Sequence, residues 1–430
     1  MRERPLLPAQ PMVAQTLQAE MSSPIPFAVS ERKLGRCTPS SPALRVQGIH
    51  SWNELELLTP AWDDLVHCSG GGTFSTIEFC QAWWAAYGEG HGELFCLVCL
   101  DSFGKCVGIA PLWRTEIDGR RVLRLIGDDS DDVDGFGLIV QPGYEEACVG
   151  HWLQWLDYHP DAWYSLGLNS VPAESAVLAQ LRQAARSHGW VEQCLLTMRC
   201  MIELPAAWPT YVARLSKKMR GSISHQVRTM QAHYQLVARR CLSREEALTW
   251  LGKLESWQHV RWTKRKIHPK LAAEVRRRFY QNLVTVFWHR GWLDFWGLFA
   301  DGEVVALELG CRLGDQRTGL NPAFDPAMAR FSPGLVLRAM MLQELIHEGV
   351  ARYDFGAGDE TYKIRWSNTL KHFVHVRLAR PGTRASYEIR LAIAVERVRK
   401  RLRNLLPTFA YNSLRFIYRA TTALLRRREP

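Results

Sequence analysis

Between Asn321 and Trp366 the sequence sets Asp354, Asp359, Glu360 and Tyr362, side chains able to move protons, close to a helix start that offers backbone N–H groups to an anion. The run NPAFDPAMARFSPGLVLRAMMLQELIHEGVARYDFGAGDETYKIRW reads as loop, helix, strand and polar turn. Ser332 suits a helix N-cap and Pro333 the first helical position, and Leu335, Leu337, Met340, Met341, Leu342, Leu345 and Ile346 supply apolar helical spacing. Gly349 marks the helix end, because a residue without Cβ adopts the left-handed backbone of a C-cap. Ala351 to Phe355 then reads as a short buried strand, and GAGDETYK as the turn after it. In open α/β sheets ligands collect at the carboxyl ends of strands, so this segment presents both an anion site and a strand end.

The elements that must position these groups form a pattern used twice. Residues 94 to 126 read as a three-stranded meander with turns at Gly104 and at Asp118-Gly119, and residues 293 to 324 repeat it with turns at Asp301-Gly302 and Gly314-Asp315. Helical sequence precedes each meander, around Ile77 to Tyr87 and around Arg244 to Trp288. A helix and a strand follow each, Glu145 to Leu156 with Trp163 to Leu168, and Leu335 to His347 with Ala351 to Phe355. The expected organisation is a Pro-rich disordered segment over 1–42, one α/β half over 43–204, a second over 205–382, and a basic helical tail over 383–430. One large sheet with a coincidental repeat is the alternative.

A chain of 430 residues with 47% hydrophobic content can bury a large core. No apolar run reaches membrane-spanning length, and the start lacks the apolar stretch and cleavage site of a secretory signal. Eleven cysteines without framework spacing favour a reducing cytoplasm. The net charge of +11 suits phosphate-bearing partners, anionic membrane or nucleic acid alike. Cys96 and Cys99, and His372 and His375, lie on apparent strands where residues three apart face opposite sides, which argues against redox or metal roles. No nucleotide-binding loop, dinucleotide fingerprint or Ser-His-Asp motif is present, and no metal site is expected.

The order helix, meander, helix, strand, together with LSKKMRGSISHQVR (215–228), DGEVVALELG (301–310), FSPGLVL (331–337) and YDFGAGDETYKIRW (353–366), resembles the GNAT acyltransferase superfamily. Within it the chain looks like the acetyltransferase domain of CelD-like cellulose and exopolysaccharide biosynthesis proteins, a branch near the Fem-like transferases. The first half shares TFSTIEFCQAWW, VGIAPLWR and VLRLIG, so the resemblance spans roughly residues 45 to 380. It implies two tandem GNAT-like domains of mixed α/β sheets and acyl transfer from acyl-coenzyme A, such as acetyl-coenzyme A, to an amine or hydroxyl.

The resemblance implies a phosphate-binding turn over Arg330, Ser332, Gly334 and Leu335, where one glycine remains and Pro333 removes a donor, with Lys363 as a second cation. Backbone N–H groups of Val304 to Arg312, near a bulge, would polarise the thioester carbonyl. Asp354, Asp359, Glu360, Tyr362 and Glu308 are the candidates for proton transfer. Asp354 inside an apolar strand either acquires a raised pKa by burial or hydrogen-bonds the next turn. Tyr362 is suited to protonate a thiolate, and Glu308 to face the acceptor. Lys217, Lys218, Arg220 and Arg228 lie at helical spacing, as a phosphate- or glycan-binding face or as a solvated one, and Trp366 is a candidate wall of the site. The acidic run Asp128 to Gly135 reads first as a flexible loop, then as a contact for a cationic acceptor, and last as a metal site.

The expected function is a cytoplasmic acyltransferase acting on an amino sugar, glycan precursor or lipid-linked acceptor. A Fem-like transferase using aminoacyl-tRNA and a non-catalytic GNAT-fold scaffold of polysaccharide production are the rivals. The segment from Ser243 to Gly291 fits two compact helices without a long arm, which counts against nucleic acid as partner. The tail from Ser386 to Arg428 has the basic amphipathic pattern of a peripheral contact with the inner membrane, or of a helix docked on a partner or on the folded body.

Overall fold

The computed structural model describes residues 44–128, 137–264, 274–358 and 360–405. The first half runs β1 (Arg45–Ile49), α1 (Trp52–Glu56), α2 (Thr59–Cys68), α3 (Ile77–Trp83), β2 (Gly92–Leu94), β3 (Cys96–Leu100), β4 (Cys106–Ala110), β5 (Leu112–Ile117) and β6 (Arg120–Leu125). It continues with β7 (Ile139–Val140), α4 (Glu145–Tyr158), β8 (Ser165–Pro172), α5 (Ala176–Ser187) and β9 (Val191–Glu203). The second half runs α6 (Trp208–Arg214), α7 (Lys217–Gln231), β10 (Leu236–Arg240), α8 (Arg244–Lys264), α9 (Glu274–His289), β11 (Trp296–Ala300), β12 (Glu303–Leu313) and β13 (Gln316–Phe324). Then come α10 (Pro333–His347), β14 (Arg352–Ala357), α11 (Thr361–Trp366), β15 (Thr369–Ala379) and α12 (Arg384–Leu405). The Pro-rich lead-in, the loop after Asp128 and the end of the tail lie outside the described residues.

Local chemistry places these elements as the sequence predicts. Asp301 and Gly302 take positive φ, 51° and 86°, the backbone that a tight hairpin between twisted strands requires. At the end of α10, Gly349 has φ 74°, and the Gly349 and Val350 N–H groups return to the carbonyls of Ile346 and Leu345. This double closure satisfies helix carbonyls that would otherwise be orphaned.

The strands form a four-stranded sheet, β1-β3-β4-β7, and an eleven-stranded one, β10-β11-β12-β13-β14-β9-β15-β8-β6-β5-β2. Pro111, between β4 and β5, divides what reads in sequence as one strand: β4 pairs with β3 and β7, while β5 pairs with β2 and β6. Both halves enter the large sheet. β14 pairs antiparallel with β9, and β15 inserts between β9 and β8, so the last strand among the described residues completes the sheet of the first half. In each half the helix after the meander crosses to a parallel strand that pairs over three residues only, Val122 to Arg124 with Ser165 to Gly167, and Gln316 to Thr318 with Arg352 to Asp354.

Two apolar cores sandwich the second half of the sheet. Trp250, Leu254, Phe279, Phe287, Leu307 and Leu309 join the core of the first half, where Phe79 and Phe279 meet edge to face at 6.1 Å. Against the other face, Tyr211, Met219, Ile223, Val336, Leu337 and Met341 bring α6, α7 and α10 onto Trp296, Leu298 and Tyr353. Sheet and helix are thus held rigid on both sides of the strand that carries the site.

Candidate active site

After Thr318 and Asp354, β13 and β14 part. β13 runs on to Phe324 paired with β12, while β14 runs on to Ala357 paired with β9. The wedge between them opens toward their carboxyl ends, and it exposes one edge of β13, whose backbone groups need partners. At the apex the space is tight: a Cβ on Gly319 would lie 2.7 Å from the Tyr353 hydroxyl, and one on Gly356 would lie 3.5 Å from the Gly319 carbonyl oxygen. The register of β12 against β13 passes from Leu309–Asn321 to Gly310–Gly319, which leaves Leu320 opposite no residue. Leu320 is therefore the extra residue of a β-bulge facing the start of the wedge. The polarising N–H was expected from Val304 to Arg312, near a bulge; that strand does carry a bulge, at Val305 where it pairs with β11, and the bulge at the wedge is a second one, on β13.

The amino end of α10 closes the wide end. Ser332 stands at the N-cap, but with left-handed φ and ψ of 51° and 50°, and its hydroxyl makes no capping bond. Pro333 has no N–H, and the Leu335 and Val336 N–H groups both return to the Ser332 carbonyl, at 2.9 and 3.3 Å. Leu335, expected as an anion donor, is thereby taken. The Gly334 N–H, the Ser332 hydroxyl and the guanidinium of exposed Arg330, which lies 4.6 Å over the Phe331 ring, remain as the anion-facing set.

The polar stretch after β14 is a short helix, α11, instead of a turn. Tyr362 on it is 41% exposed, and the Arg338 guanidinium lies 5.4 Å from its ring. Glu360 is exposed and pairs at 2.8 Å with the buried Lys363 ammonium, so Lys363 holds its own helix start instead of standing free for a phosphate. Asp354 is buried, with one oxygen accepting from the Gly356 N–H at 2.7 Å and the other from Arg199 at 3.2 Å. It hydrogen-bonds the next turn, and is poorly placed to accept a proton from substrate. Trp366 is no wall of the wedge: it is buried in the core, and its carbonyl accepts from the Tyr211 hydroxyl at 2.6 Å. Asp359 lies outside the described residues.

Glu308 is buried, away from solvent. It accepts from Arg317 at 3.0 Å, from Arg338 at 2.7 and 3.1 Å, and from the Tyr353 hydroxyl. Arg317 also pairs with buried Asp294, which Arg240 approaches from the other side, and Arg240 and Arg312 share Glu348. Burial would push both acids up, yet Arg338 and Arg317 around Glu308, and Arg317 and Arg240 around Asp294, hold them below the usual carboxylate range. Glu308, with its pKa lowered by two buried arginines, is a charged strut of the core, which speaks against its reading as a proton acceptor.

On α7 the four predicted cations separate. Arg220 donates to the Ala213 and Leu215 carbonyls at 3.1 and 2.7 Å, ending α6, so its role is structural. Arg228 donates to Ser224 one turn back, and Lys217, Lys218 and Arg228 are exposed. Asp128, the first residue of the acidic run, is buried and accepts from Asn169; Asp129 to Gly135 lie outside the described residues. Cys96 is buried on β3, and burial pushes its thiol up to about 12, far from a reactive thiolate.

One polar group escaped the sequence reading. Buried Arg276 and Tyr280 on α9 gather beside Asn321 on β13, and Gln258 on α8 donates to the Pro322 carbonyl at 3.3 Å. Burial pushes the Tyr280 phenol up, with Arg276 and Asn321 opposing it. These side chains reach the strand from the face opposite α10. Only the helical period of Arg276 and Tyr280, four apart, signals that they share a face.

Residues 217–364, from α7 into α11, match the family model described as an acetyltransferase (GNAT) domain. This part of the chain is a GNAT-fold acetyltransferase domain. Among solved structures the chain is similar to FemX, at 11% identity and a TM-score of 0.55, over 76% of this chain and 96% of that one. It is also similar to a conserved protein of unknown function from Bacteroides thetaiotaomicron, at 10% identity and a TM-score of 0.50, over 75% and 97%. At such identities the likeness is one of fold, and it extends across both halves. No curated relative matches the sequence. The wedge, the bulge at Leu320 and the start of α10 all fall inside the segment that matches the GNAT domain model. No helix among the described residues is long and apolar enough to cross a membrane.

Proposed function

We propose that the second half transfers an acyl group, acetyl in the simplest case, from acyl-coenzyme A to an amine or hydroxyl of a sugar, a glycan precursor or a similar acceptor. The observation that carries this reading is the three-residue limit of the β13–β14 pairing, with a bulge at its apex. An exposed strand edge suits an extended ligand with amide groups, which adds to a sheet through backbone hydrogen bonds as a further strand would. The pantetheine arm of coenzyme A is such a ligand. Its phosphates would meet the Gly334 N–H, the Ser332 hydroxyl and Arg330 at the positive end of α10.

The cofactor supplies an activated thioester, and the chain supplies the rest. The Leu320 N–H, at the bulge, would donate a hydrogen bond to the thioester carbonyl oxygen. As the acceptor nitrogen or oxygen bonds to the acyl carbon, the C–S bond would break; Tyr362 would give its proton to the departing thiolate, and the proton released by the acceptor nitrogen or oxygen would pass to water and restore the phenol. The acceptor would enter from the α8 and α9 side, beside Gln258, Arg276, Tyr280 and Asn321. The resemblance of residues 215–228, 331–337 and 353–366 to CelD-like proteins supports a glycan-related acceptor and a place in exopolysaccharide or cell-envelope synthesis.

Thermal unfolding with acetyl-coenzyme A, with desulfo and dephosphorylated analogues and with aminoacyl-tRNA tests the donor, and thiol release with a panel of amino sugars tests the reaction. Stabilisation by acetyl-coenzyme A that weakens as phosphates are removed is expected. Stabilisation by aminoacyl-tRNA alone, with steep salt dependence, would replace this reading with a Fem-like one; no response to either would leave a scaffold.

A further inference from the structure

The geometry points to the outer face of α12 as a docking surface for an anionic lipid bilayer. This inference goes beyond the acyltransferase reading and stands on a different part of the molecule.

α12 has two apolar faces. One is satisfied: Ala385 and Ile389 are buried against Ala379, with Tyr164, Val191 and Ile393 packed around them. The other points away from the protein. Tyr387, Leu391, Val395 and Val398, spaced i, i+4, i+8 and i+11 and so on one side of the helix, are 62%, 64%, 39% and 54% exposed. A helix that needed only to dock on the sheet would carry polar residues there.

Charge decides what covers this stripe. Seven Lys and Arg residues against two Glu lie between Arg384 and Leu405. Exposed Arg390, Arg397 and Arg401, at i, i+7 and i+11, form a row along one flank of the stripe, and exposed Arg399 lies on the other. Neither acid answers the row of Arg390, Arg397 and Arg401: Glu388 pairs with Arg120, Arg377 and Arg384, and Glu396 falls on the docked side with Ile389 and Ile393. A second copy would bring arginine rows together with no carboxylate between them. Nucleic acid would meet the arginines but has no use for Leu and Val. A bilayer with anionic headgroups takes both, with apolar side chains entering the acyl boundary and arginines reaching phosphates. Beyond Leu405 the sequence repeats the combination, with Phe409, Tyr411, Phe416 and Arg426 to Arg428. The helix lies on the surface and does not span it.

Co-sedimentation of the full chain with phosphatidylcholine vesicles, with and without phosphatidylglycerol, tests this. Binding to the anionic vesicles that falls as salt is raised is expected. Arg390→Gln, Arg397→Gln and Arg401→Gln together should lower the partition coefficient on the order of a hundredfold, from roughly fivefold per arginine. Leu391→Glu with Val398→Glu should abolish binding; because these side chains are exposed, the melting temperature reports that folding is intact. No binding to anionic vesicles, or undiminished binding by the glutamate variant, overturns the proposal. So does a solution dimer that the glutamate variant splits while vesicles capture neither form.

Discussion

Arg338, in the second turn of α10, donates two hydrogen bonds to Glu308 in the middle of β12, at 3.1 and 2.7 Å. The helix whose amino end faces the wedge is thus tied by charge to the strand beneath it. Both partners are buried, so neither can turn to water if the other is lost. Glu308→Ala would strand the Arg317 and Arg338 guanidiniums in the core, and should cost about 3–5 kcal/mol, the range for removing one partner of a buried pair. Glu308→Gln keeps acceptor oxygen and volume and should cost less. Urea denaturation of the three proteins measures the order. A Glu308→Ala protein as stable as the parent, yet inactive, would make Glu308 a catalytic acid after all.

The same network sets the acid limit of stability. Asp294 and Glu308 are held below their ordinary range in the folded chain, so their contribution is fully present above the unfolded pKa near 4 and is lost as pH falls through the folded values. The denaturation midpoint should be flat from about pH 7 to pH 5 and drop steeply below about pH 4. In Asp294→Asn, stability at neutral pH should be lower and the acid slope shallower. An unchanged slope in that variant would place the acid-labile group elsewhere.

What the sequence disclosed follows from the range of the interactions involved. Pro333, Gly349 and the Asp301-Gly302 turn act on their own backbone, and each sits where it was expected. The buried network was illegible because Glu308 finds Arg317, Arg338 and Tyr353 at separations of 9, 30 and 45 residues, across three elements. Glu308 therefore looked like a free acid, and Trp366, beside a polar stretch, like part of a surface. The insertion of β15 between β9 and β8 left no local trace either, since an alternating strand pattern states which face is buried and not which strands are neighbours.

Two glycines separate steric need from anion binding. On Gly319 a Cβ would lie 2.7 Å from the Tyr353 hydroxyl, itself fixed by Glu308, so Gly319→Ala should cost about 1–3 kcal/mol, as overpacking does. On Gly334 the nearest atom is Phe324 Cδ1 at 3.6 Å, ordinary contact. Gly334→Ala keeps the N–H and gains helix propensity, so stability should hold or rise by up to about 1 kcal/mol. Acetyl-coenzyme A affinity, followed by thermal shift, should survive Gly334→Ala and fall in Arg330→Gln. Equal affinity in Arg330→Gln would remove Arg330 from the phosphate site.

Tyr362 carries the most exposed claim about the reaction. Its ring rests beside Arg338, and Tyr362→Phe preserves that contact while deleting only the hydroxyl. Since the side chain is partly exposed, stability should change by no more than about 0.5 kcal/mol. If the hydroxyl delivers the proton to the leaving thiolate, kcat should fall about a hundredfold or more, the scale of general acid catalysis, with little change in the KM for acyl-coenzyme A. The distinction from a binding role lies in the donor used. A thioester with a more acidic thiol needs less protonation on departure, so the deficit of the Phe variant should shrink with such a donor. A deficit that stays constant across donors would assign Tyr362 to shaping the wedge and leave protonation to solvent.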